Sequence, residues 1–197
     1  MNSIKDIYNA MLQKSENDFE KVGWGSKKSQ ITRFHVLMEV GNLEKRSILD
    51  VGCGLGAMLD YIDKNISIQS YTGIDINSNM IKEAKKRHPN AEFKTLDITK
   101  NLEELSNKRF DYVFLSGALN LSADNHEENI KKVIKKMFGL ANKAIALNFL
   151  SIFSDRFTQA EYYCSPLEIL EFSFTLTKKV TLRHDYMPHD FTIYLYK

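Results

Sequence analysis

Short apolar runs alternate with amphipathic stretches from residue 47 to residue 172, and this alternation strongly constrains the fold. Apolar runs bounded by turn residues predict buried strands, while apolar residues at helical spacing predict helices. Strands that alternate with helices form βαβ units, whose strands lie parallel in one sheet. The predicted strands are Ser47–Val51, Ile68–Asp75, Ala91–Leu96, Phe110–Leu115 and Lys143–Leu150. The predicted helices are one ending near Asp63, then Ser78–Arg87, Leu102–Leu105, Asp124–Ala141 and Pro166–Phe172.

The end of the chain follows a different pattern, with two β-rich runs, Lys179–Tyr186 and Phe191–Tyr196, separated by only four residues. Parallel neighbours need a crossover of about a dozen residues, so these runs must form an antiparallel hairpin. The fold class predicted is α/β, a Rossmann-like open sheet of seven strands whose last strand is antiparallel.

Two helices are predicted before the sheet, one over residues 4–20 and one over Ser29–Val40 that ends at Gly41, a favourable C-cap residue. The 197 residues suffice for one domain and are few for two. We therefore expect a single domain over residues 1–197, with a helical cap over 1–45 and a core over 46–197.

Composition argues against several classes of partner. The net charge of +2 gives no electrostatic reason to expect nucleic acid or a membrane as partner. The apolar run Ala144–Phe153 is too short for a bilayer, which needs roughly 20 residues, and the N-terminus lacks the apolar region of a signal peptide. Cys53 and Cys164 form no disulfide framework, which suits the cytoplasm.

A glycine-rich loop, Asp50-Val51-Gly52-Cys53-Gly54-Leu55-Gly56, follows the first predicted strand. Its glycines allow a tight turn and a close approach of the backbone to a ligand at the carboxyl ends of the strands. Gly52-x-Gly54-x-x-Ala57 also satisfies the dinucleotide fingerprint GxGxxG/A. A tight turn without a ligand is the simplest alternative.

Two acidic residues follow the next two strands. Asp75 ends the second strand, where a carboxylate can accept hydrogen bonds from both ribose hydroxyls. Asp97 follows the third strand, within reach of an adenine amino group. Either residue could instead serve as a helix N-cap, a position that favours Asp.

Taken together, these motifs resemble the class I S-adenosylmethionine (SAM)-dependent methyltransferases over about residues 46–197. Residues 48–56 look like motif I of that family, Asp75 and Asp97 match its ribose-binding and adenine-binding acids, and Phe110–Ser116 is similar to its fourth strand. The terminal hairpin is a further family feature. The resemblance implies SAM as cofactor and a site formed by Asp50, Gly52, Gly54, Asp75, Ile76, Asp97, Ile98 and Ser116. Met80 either packs on the adenine or is a core residue.

The chemistry of SAM suits Asp50. A carboxylate at this position would repel the phosphates of a dinucleotide, yet it can bind the ammonium group of the amino acid tail of SAM, directly or through water.

The segment Gly23-Trp24-Gly25-Ser26, with Gln30 and Arg33, is predicted to close over donor and substrate. Glycines on both sides of Trp24 let this loop move, and Arg33 is expected to pair with the carboxylate of SAM. For both side chains, packing alone is the alternative.

The terminal hairpin supplies the candidate catalytic residues. His189 is the candidate general base, and Asp190 would orient or replace it. The alternative is an exposed turn built by Pro188. No metal is expected, because the spacing of the histidines and aspartates in residues 184–190 matches no standard site.

A second histidine, His126, follows a capping-box arrangement, Asp124-x-x-Glu127, that predicts a helix-surface position. A role at the substrate is the alternative.

The acceptor is predicted to be a small molecule. The [Asn/Asp]-Pro-Pro-[Tyr/Phe] motif of nucleobase amino methyltransferases is absent from Leu115–Asn120. The Trp24-Gly25-Ser26 entry and the Met187–Phe191 segment of the hairpin look like those of bacterial methyltransferases found with surface-polysaccharide synthesis. This resemblance implies O-methylation of a sugar or sugar nucleotide. The alternatives are an NAD(P)-dependent oxidoreductase, a non-catalytic SAM-binding module, and an RNA or protein methyltransferase. The sequence does not determine the oligomeric state.

Overall fold

The computed structural model describes residues 4–100, 103–121 and 125–197. The helices are α1 Ile4–Lys14, α2 Asp18–Lys21, α3 Lys27–Met38, α4 Ala57–Asp63, α5 Ser78–Arg87, α6 His126–Leu140 and α7 Pro166–Phe174. The strands are β1 Ser47–Val51, β2 Ser70–Asp75, β3 Glu92–Thr95, β4 Phe110–Leu115, β5 Ala141–Leu150, β6 Val180–Arg183 and β7 Asp190–Tyr196. A single 3₁₀ turn spans Glu103–Leu105.

These strands form one seven-stranded sheet in the order β3-β2-β1-β4-β5-β7-β6. Strands β1 to β5 are parallel, and β7 lies antiparallel between β5 and β6. The predicted fold class is therefore confirmed. The chain leaves β1 toward β2 and later returns to the other side of β1 as β4. The loops that follow β1 and β4 thus diverge, which opens a crevice at the carboxyl edge.

Hydrophobic side chains cover both faces of the sheet. One cluster contains Leu49, Val113 and Leu147 together with apolar residues of α6 and α7. The other contains Ile48 and Phe114 together with apolar residues of α3, α4 and α5. Successive strand residues point to opposite faces, so a strand covered on both sides is apolar at nearly every position. This explains why the central strands were recognisable as continuous apolar runs.

The N-terminal helices differ from the prediction. The helix expected over residues 4–20 is interrupted after Lys14 and resumes at Asp18 as the short α2. The next helix, α3, begins after Ser26, whose hydroxyl accepts a hydrogen bond from the Ser29 N–H (3.1 Å). Two other predicted elements are only partly visible, because Leu102 and Asp124 lie outside the described residues.

Gly41 was expected to cap α3, but the helix ends at Met38 and Gly41 does not adopt a left-handed backbone. Its lack of a side chain serves packing instead. A Cβ at this position would lie 2.6 Å from the Tyr112 hydroxyl, closer than non-bonded atoms approach. The glycine therefore lets the end of the cap rest on β4.

No helix in the described part of the chain is long and apolar enough to cross a membrane.

Adding a methyl group at Gly41 tests this contact. We expect Gly41→Ala to lower the free energy of unfolding by about 1–3 kcal/mol, because Tyr112 is buried and must move. Gly139→Ala is the matched control, since this exposed position in α6 has no atom within 4 Å of an added Cβ. The control should be neutral or stabilising by up to about 1 kcal/mol. Equal stability of both variants in urea unfolding would contradict the packing role.

Candidate functional site

A cavity of about 250 Å³ lies at the carboxyl ends of β1, β2 and β4. The structure brings to its wall every predicted cofactor residue except Arg33. The predicted residues on the wall are Trp24, Asp50, Gly52, Gly54, Asp75, Ile76, Met80, Asp97, Ile98 and Ser116. Their roles in binding stay predictions, but their convergence makes this cavity the candidate cofactor site.

The loop after β1 depends on glycine at three positions. Gly52, Gly54 and Gly56 have φ values of 73°, 54° and 84°, in the left-handed region that other residues rarely adopt. A Cβ on Gly52 would clash with Ala118, and one on Gly54 would lie 3.0 Å from Val22. The bare backbone thus lets the loop after β4 and the N-terminal cap approach β1 closely.

Asp75 is held at the cavity by backbone donors. Its Oδ2 accepts a hydrogen bond from the Gly54 N–H (3.0 Å) and its Oδ1 accepts one from the Asn77 N–H (2.8 Å). The cap of α5 is Asn77, whose side chain accepts from the N–H groups of Asn79 and Met80. The N-cap alternative for Asp75 is therefore wrong, and burial raises the pKa of this carboxyl above its usual value.

Asp97 also faces the cavity, but part of its carboxylate is occupied. Its Oδ1 accepts hydrogen bonds from the N–H (2.9 Å) and hydroxyl (2.6 Å) of Thr99. These bonds fix the turn after β3 and leave Oδ2 oriented by Lys100, 3.5 Å away.

Asp50 is buried under the glycine loop, where the Tyr71 hydroxyl donates a hydrogen bond to its Oδ2 (2.5 Å). Burial raises the pKa of Asp50 to about 7, although the Tyr71 hydrogen bond opposes the shift. A cationic group bound beside Asp50 would favour its ionised form. The site is therefore suited to an ammonium group and unsuited to a phosphate.

The cap covers the cavity from the N-terminal side with Tyr8, Val22, Trp24, Gln30 and Phe34. Burial raises the pKa of Tyr8 to about 12, and the negative charge of Asp75 adds to the shift. Sequence reasoning missed Tyr8, because its spacing from Ile4 and Met11 is that of an ordinary core position. No local signal could have identified it.

Arg33 does not reach the cavity. It forms a buried ion pair with Asp190, and its guanidinium lies over the Trp24 ring at 4.5 Å from the ring centroid. The structure therefore does not support the predicted pairing of Arg33 with the carboxylate of SAM, because Arg33 is paired with Asp190 instead. Gln30, about one turn earlier on α3, lines the cavity in its place.

The two candidate catalytic residues lie outside the cavity wall. Asp190 is engaged by Arg33, while His189 is half-buried and its carbonyl accepts a hydrogen bond from the Ser151 N–H (2.9 Å). His184, beside them in sequence, binds the Ser151 hydroxyl through Nε2 (2.8 Å). Their roles in catalysis stay predictions.

The helix-surface position predicted for His126 was wrong. This residue is buried and lines the cavity, and its Nε2 donates to the Leu119 carbonyl (2.7 Å). Its ring packs on Tyr162 at 4.2 Å between centroids, and burial lowers the pKa of His126. Asp124, the other end of the predicted capping box, lies outside the described residues.

Comparison with known proteins points to methyltransferases. Residues 48–143 match a family model described as a methyltransferase domain. A protein of Mycobacterium tuberculosis described as a methyltransferase is 29% identical over 161 residues, 77% of this chain and 93% of that protein. Phthiotriol/phenolphthiotriol dimycocerosates methyltransferase of Mycobacterium leprae is 36% identical over 88 residues, 44% of this chain but only 32% of that enzyme.

Among solved structures, magnesium protoporphyrin IX methyltransferase from Synechocystis with bound SAH (S-adenosylhomocysteine) has a TM-score of 0.67 at 16% identity. The match covers 98% of this chain and 93% of that one. At this identity the likeness is one of fold.

The match over residues 48–143, the methyltransferase-named relatives and the SAH-bound structure of the same fold together support a methyltransferase whose cofactor is SAM. The methyltransferase domain of this chain is recognised over residues 48–143, which contain Asp50, Asp75 and Asp97.

The raised pKa of Asp50 predicts proton-linked binding. Below about pH 7 the free protein holds this carboxyl protonated, and an ammonium group beside it lowers the pKa. We expect SAH to release up to about one proton when it binds near pH 6, and its affinity to rise as pH increases toward 7. Calorimetry in two buffers of different ionisation heat measures this release.

The matched ligand control is 5′-methylthioadenosine, which lacks the amino acid tail and should release no proton. Asp50→Asn should abolish the release with SAH. Equal proton release by both ligands would contradict the assignment of Asp50 to the tail.

Proposed function

We propose that this enzyme transfers the methyl group of SAM to a hydroxyl of a small-molecule acceptor. The observation that carries the proposal is the cap. Tyr8, Val22 and Trp24 cover the cavity from outside the sheet, so that an acceptor must fit between the cap and the loop after β4. A space enclosed in this way favours a small molecule over a nucleic acid or protein.

The relatives support the same class of acceptor. The Mycobacterium leprae enzyme is named for a phthiotriol dimycocerosate and the Synechocystis enzyme for magnesium protoporphyrin IX, neither of which is a macromolecule. The small net charge of +2 also offers little attraction for nucleic acid.

Methyl transfer to a hydroxyl needs a group that removes a proton, whereas the sulfonium of SAM supplies an activated methyl group and a good leaving group. The chain's own contribution is then positioning, exclusion of water and proton removal. We propose His189 as the general base, since it lies at the carboxyl edge and is half-buried. Asp190 is not free to replace it, because Arg33 holds its carboxylate.

For the acceptor itself we propose a sugar or sugar nucleotide first. The cavity wall combines the aromatic rings of Trp24 and Phe34 with the amide of Gln30. Aromatic faces and amide groups are a common combination for ligands that carry both apolar ring faces and hydroxyls.

A second candidate is an acceptor with an apolar chain. Phe153 and Phe157, in the segment after β5, are each 61% exposed, which is unusual for aromatic residues. This segment adjoins the loop after β4, since the Tyr162 N–H donates to the Asn120 carbonyl (2.8 Å). An apolar chain leaving the cavity on this side would cover both rings.

We also propose a cytoplasmic location, which is consistent with Cys53 and Cys164 being free, buried thiols.

Calorimetry with SAM, SAH and NADH tests the cofactor and the role of Asp75. We expect both sulfur nucleotides to bind and NADH not to bind. Asp75→Ala should weaken SAH binding by about 1–3 kcal/mol, because a buried hydrogen-bond acceptor is lost. The control, Asp63→Asn, changes an exposed carboxylate at the end of α4 and should bind like the wild type. Tighter binding of NADH than of SAH would overturn the proposal.

Acceptor identity is tested with labelled SAM and three pools: sugar nucleotides, lipids that carry hydroxyl groups, and total RNA with protein. Label in the sugar nucleotides supports the first candidate. Label in the lipids, reduced by Phe153→Ser with Phe157→Ser, supports the second.

In either case His189→Ala should lower the rate by about 10²-fold or more at unchanged SAH affinity. Label confined to macromolecules would contradict a small acceptor, and a protein that binds SAH but labels no pool would be a non-catalytic module.

A further inference from the structure

The ion pair between Arg33 and Asp190 joins the two ends of the chain beside the cavity. Arg33 belongs to α3 in the cap, whereas Asp190 is the first residue of β7 in the terminal hairpin. The side chains are only 4% and 1% exposed. Neither residue lines the cavity, so that the pair makes no direct contact with a cofactor bound there.

The guanidinium of Arg33 has two further contacts. Its Nη1 donates a hydrogen bond to the Ser29 hydroxyl, and it lies over the face of the Trp24 ring at 4.5 Å from the centroid. Such an arrangement is attractive because the ring face is electron-rich, and it is stronger where water is excluded. Asp190 supplies the opposite charge and Ser29 a hydrogen-bond acceptor, so that both fix the position of the guanidinium beneath the ring.

Trp24 in turn packs against the loop after β4. Gly117 has a φ of +69°, and a Cβ there would lie 2.7 Å from two atoms of the indole. The Asn148 side chain holds the same loop by accepting the Gly117 N–H (2.9 Å), and Asn148 Nδ2 lies 3.3 Å from the hydroxyl of Ser116. The indole therefore closes the cavity at the β4 end, opposite Asp75 and Asp97.

A buried ion pair is a poor source of stability, because removing two charges from water offsets most of their attraction. A second pair joins Arg183 of the hairpin to Glu39, which directly follows α3, and it lies near the surface. The cation over the Trp24 ring is Arg33. The buried pair is thus distinguished by what it holds in place.

We propose that Arg33 and Asp190 are positioning residues of the cofactor site, whose ion pair holds Trp24 closed over the cavity at the end of β4. The proposal rests on the cavity being the SAM site, and it is independent of the acceptor. Trp24 would retain the bound cofactor and shape the space left for the acceptor, while the pair keeps the indole from turning outward.

Trp24 is the only tryptophan of the chain, so that intrinsic fluorescence reports its position without a label. The decisive variant is Arg33→Met with Asp190→Leu, which replaces both charges by apolar side chains and leaves neither charge buried alone. We expect this variant to stay folded, its Trp24 to become about two- to fivefold more accessible to acrylamide, and the SAH Kd to rise about 3- to 30-fold. The rise should come mainly from faster dissociation.

The control variant is Arg183→Met, which removes the surface pair and should change neither quenching nor SAH affinity. If the double variant does not fold, Arg33→Lys is used, which keeps the charge but loses the planar face that stacks on the indole. Increased acrylamide access in that variant supports the proposal. A folded variant of either kind with wild-type quenching and wild-type SAH affinity would overturn it.

Failure of the proposed function would be recognised separately. In that case the wild-type protein would not bind SAH, whereas the quenching comparison without ligand would still test whether the pair holds Trp24.

Discussion

The backbone turn after β1 is the constraint on which the rest of the carboxyl edge depends. It passes through left-handed conformations at Gly52, Gly54 and Gly56, and its bare backbone is in contact with the loop after β4 and with the cap. Side chains at these positions would push both neighbours away and separate the acids on β1 and β2. The cavity therefore exists because glycine allows three segments of the chain to meet at one point.

The carboxyls of Asp50 and Asp75 lie beside this turn, where burial disfavours their ionised forms. Burial raises the pKa of both Asp50 and Asp75, so that holding them there destabilises the protein without a ligand. Acidic groups of raised pKa in a cleft are typical of functional sites. Here they favour a ligand that brings a positive charge and hydroxyl donors and disfavour one that brings phosphates, as the SAM assignment requires.

The cap and the hairpin complete the site from opposite ends of the chain. Their buried contact, Arg33 with Asp190, lies behind Trp24 and not in the cavity. Polar side chains that the sequence offers as catalytic candidates can thus be committed to holding an aromatic wall. For the same reason Asp190 is better understood as part of the architecture around the cofactor than as a base.

Local patterns in the sequence determined the sheet and the acids at its edge. The bounds of β1, β4 and α5 agree with the prediction to the residue, because periodicity and turn chemistry are encoded within each segment. The structure alone decided the partners of side chains from distant segments: Arg33 meets Asp190, His126 is buried against Tyr162, Tyr8 reaches the cavity, and Gly41 makes room for Tyr112. Spacing along the chain shows which face of an element is apolar. What that face meets depends on how elements far apart in sequence pack, and no short pattern records this.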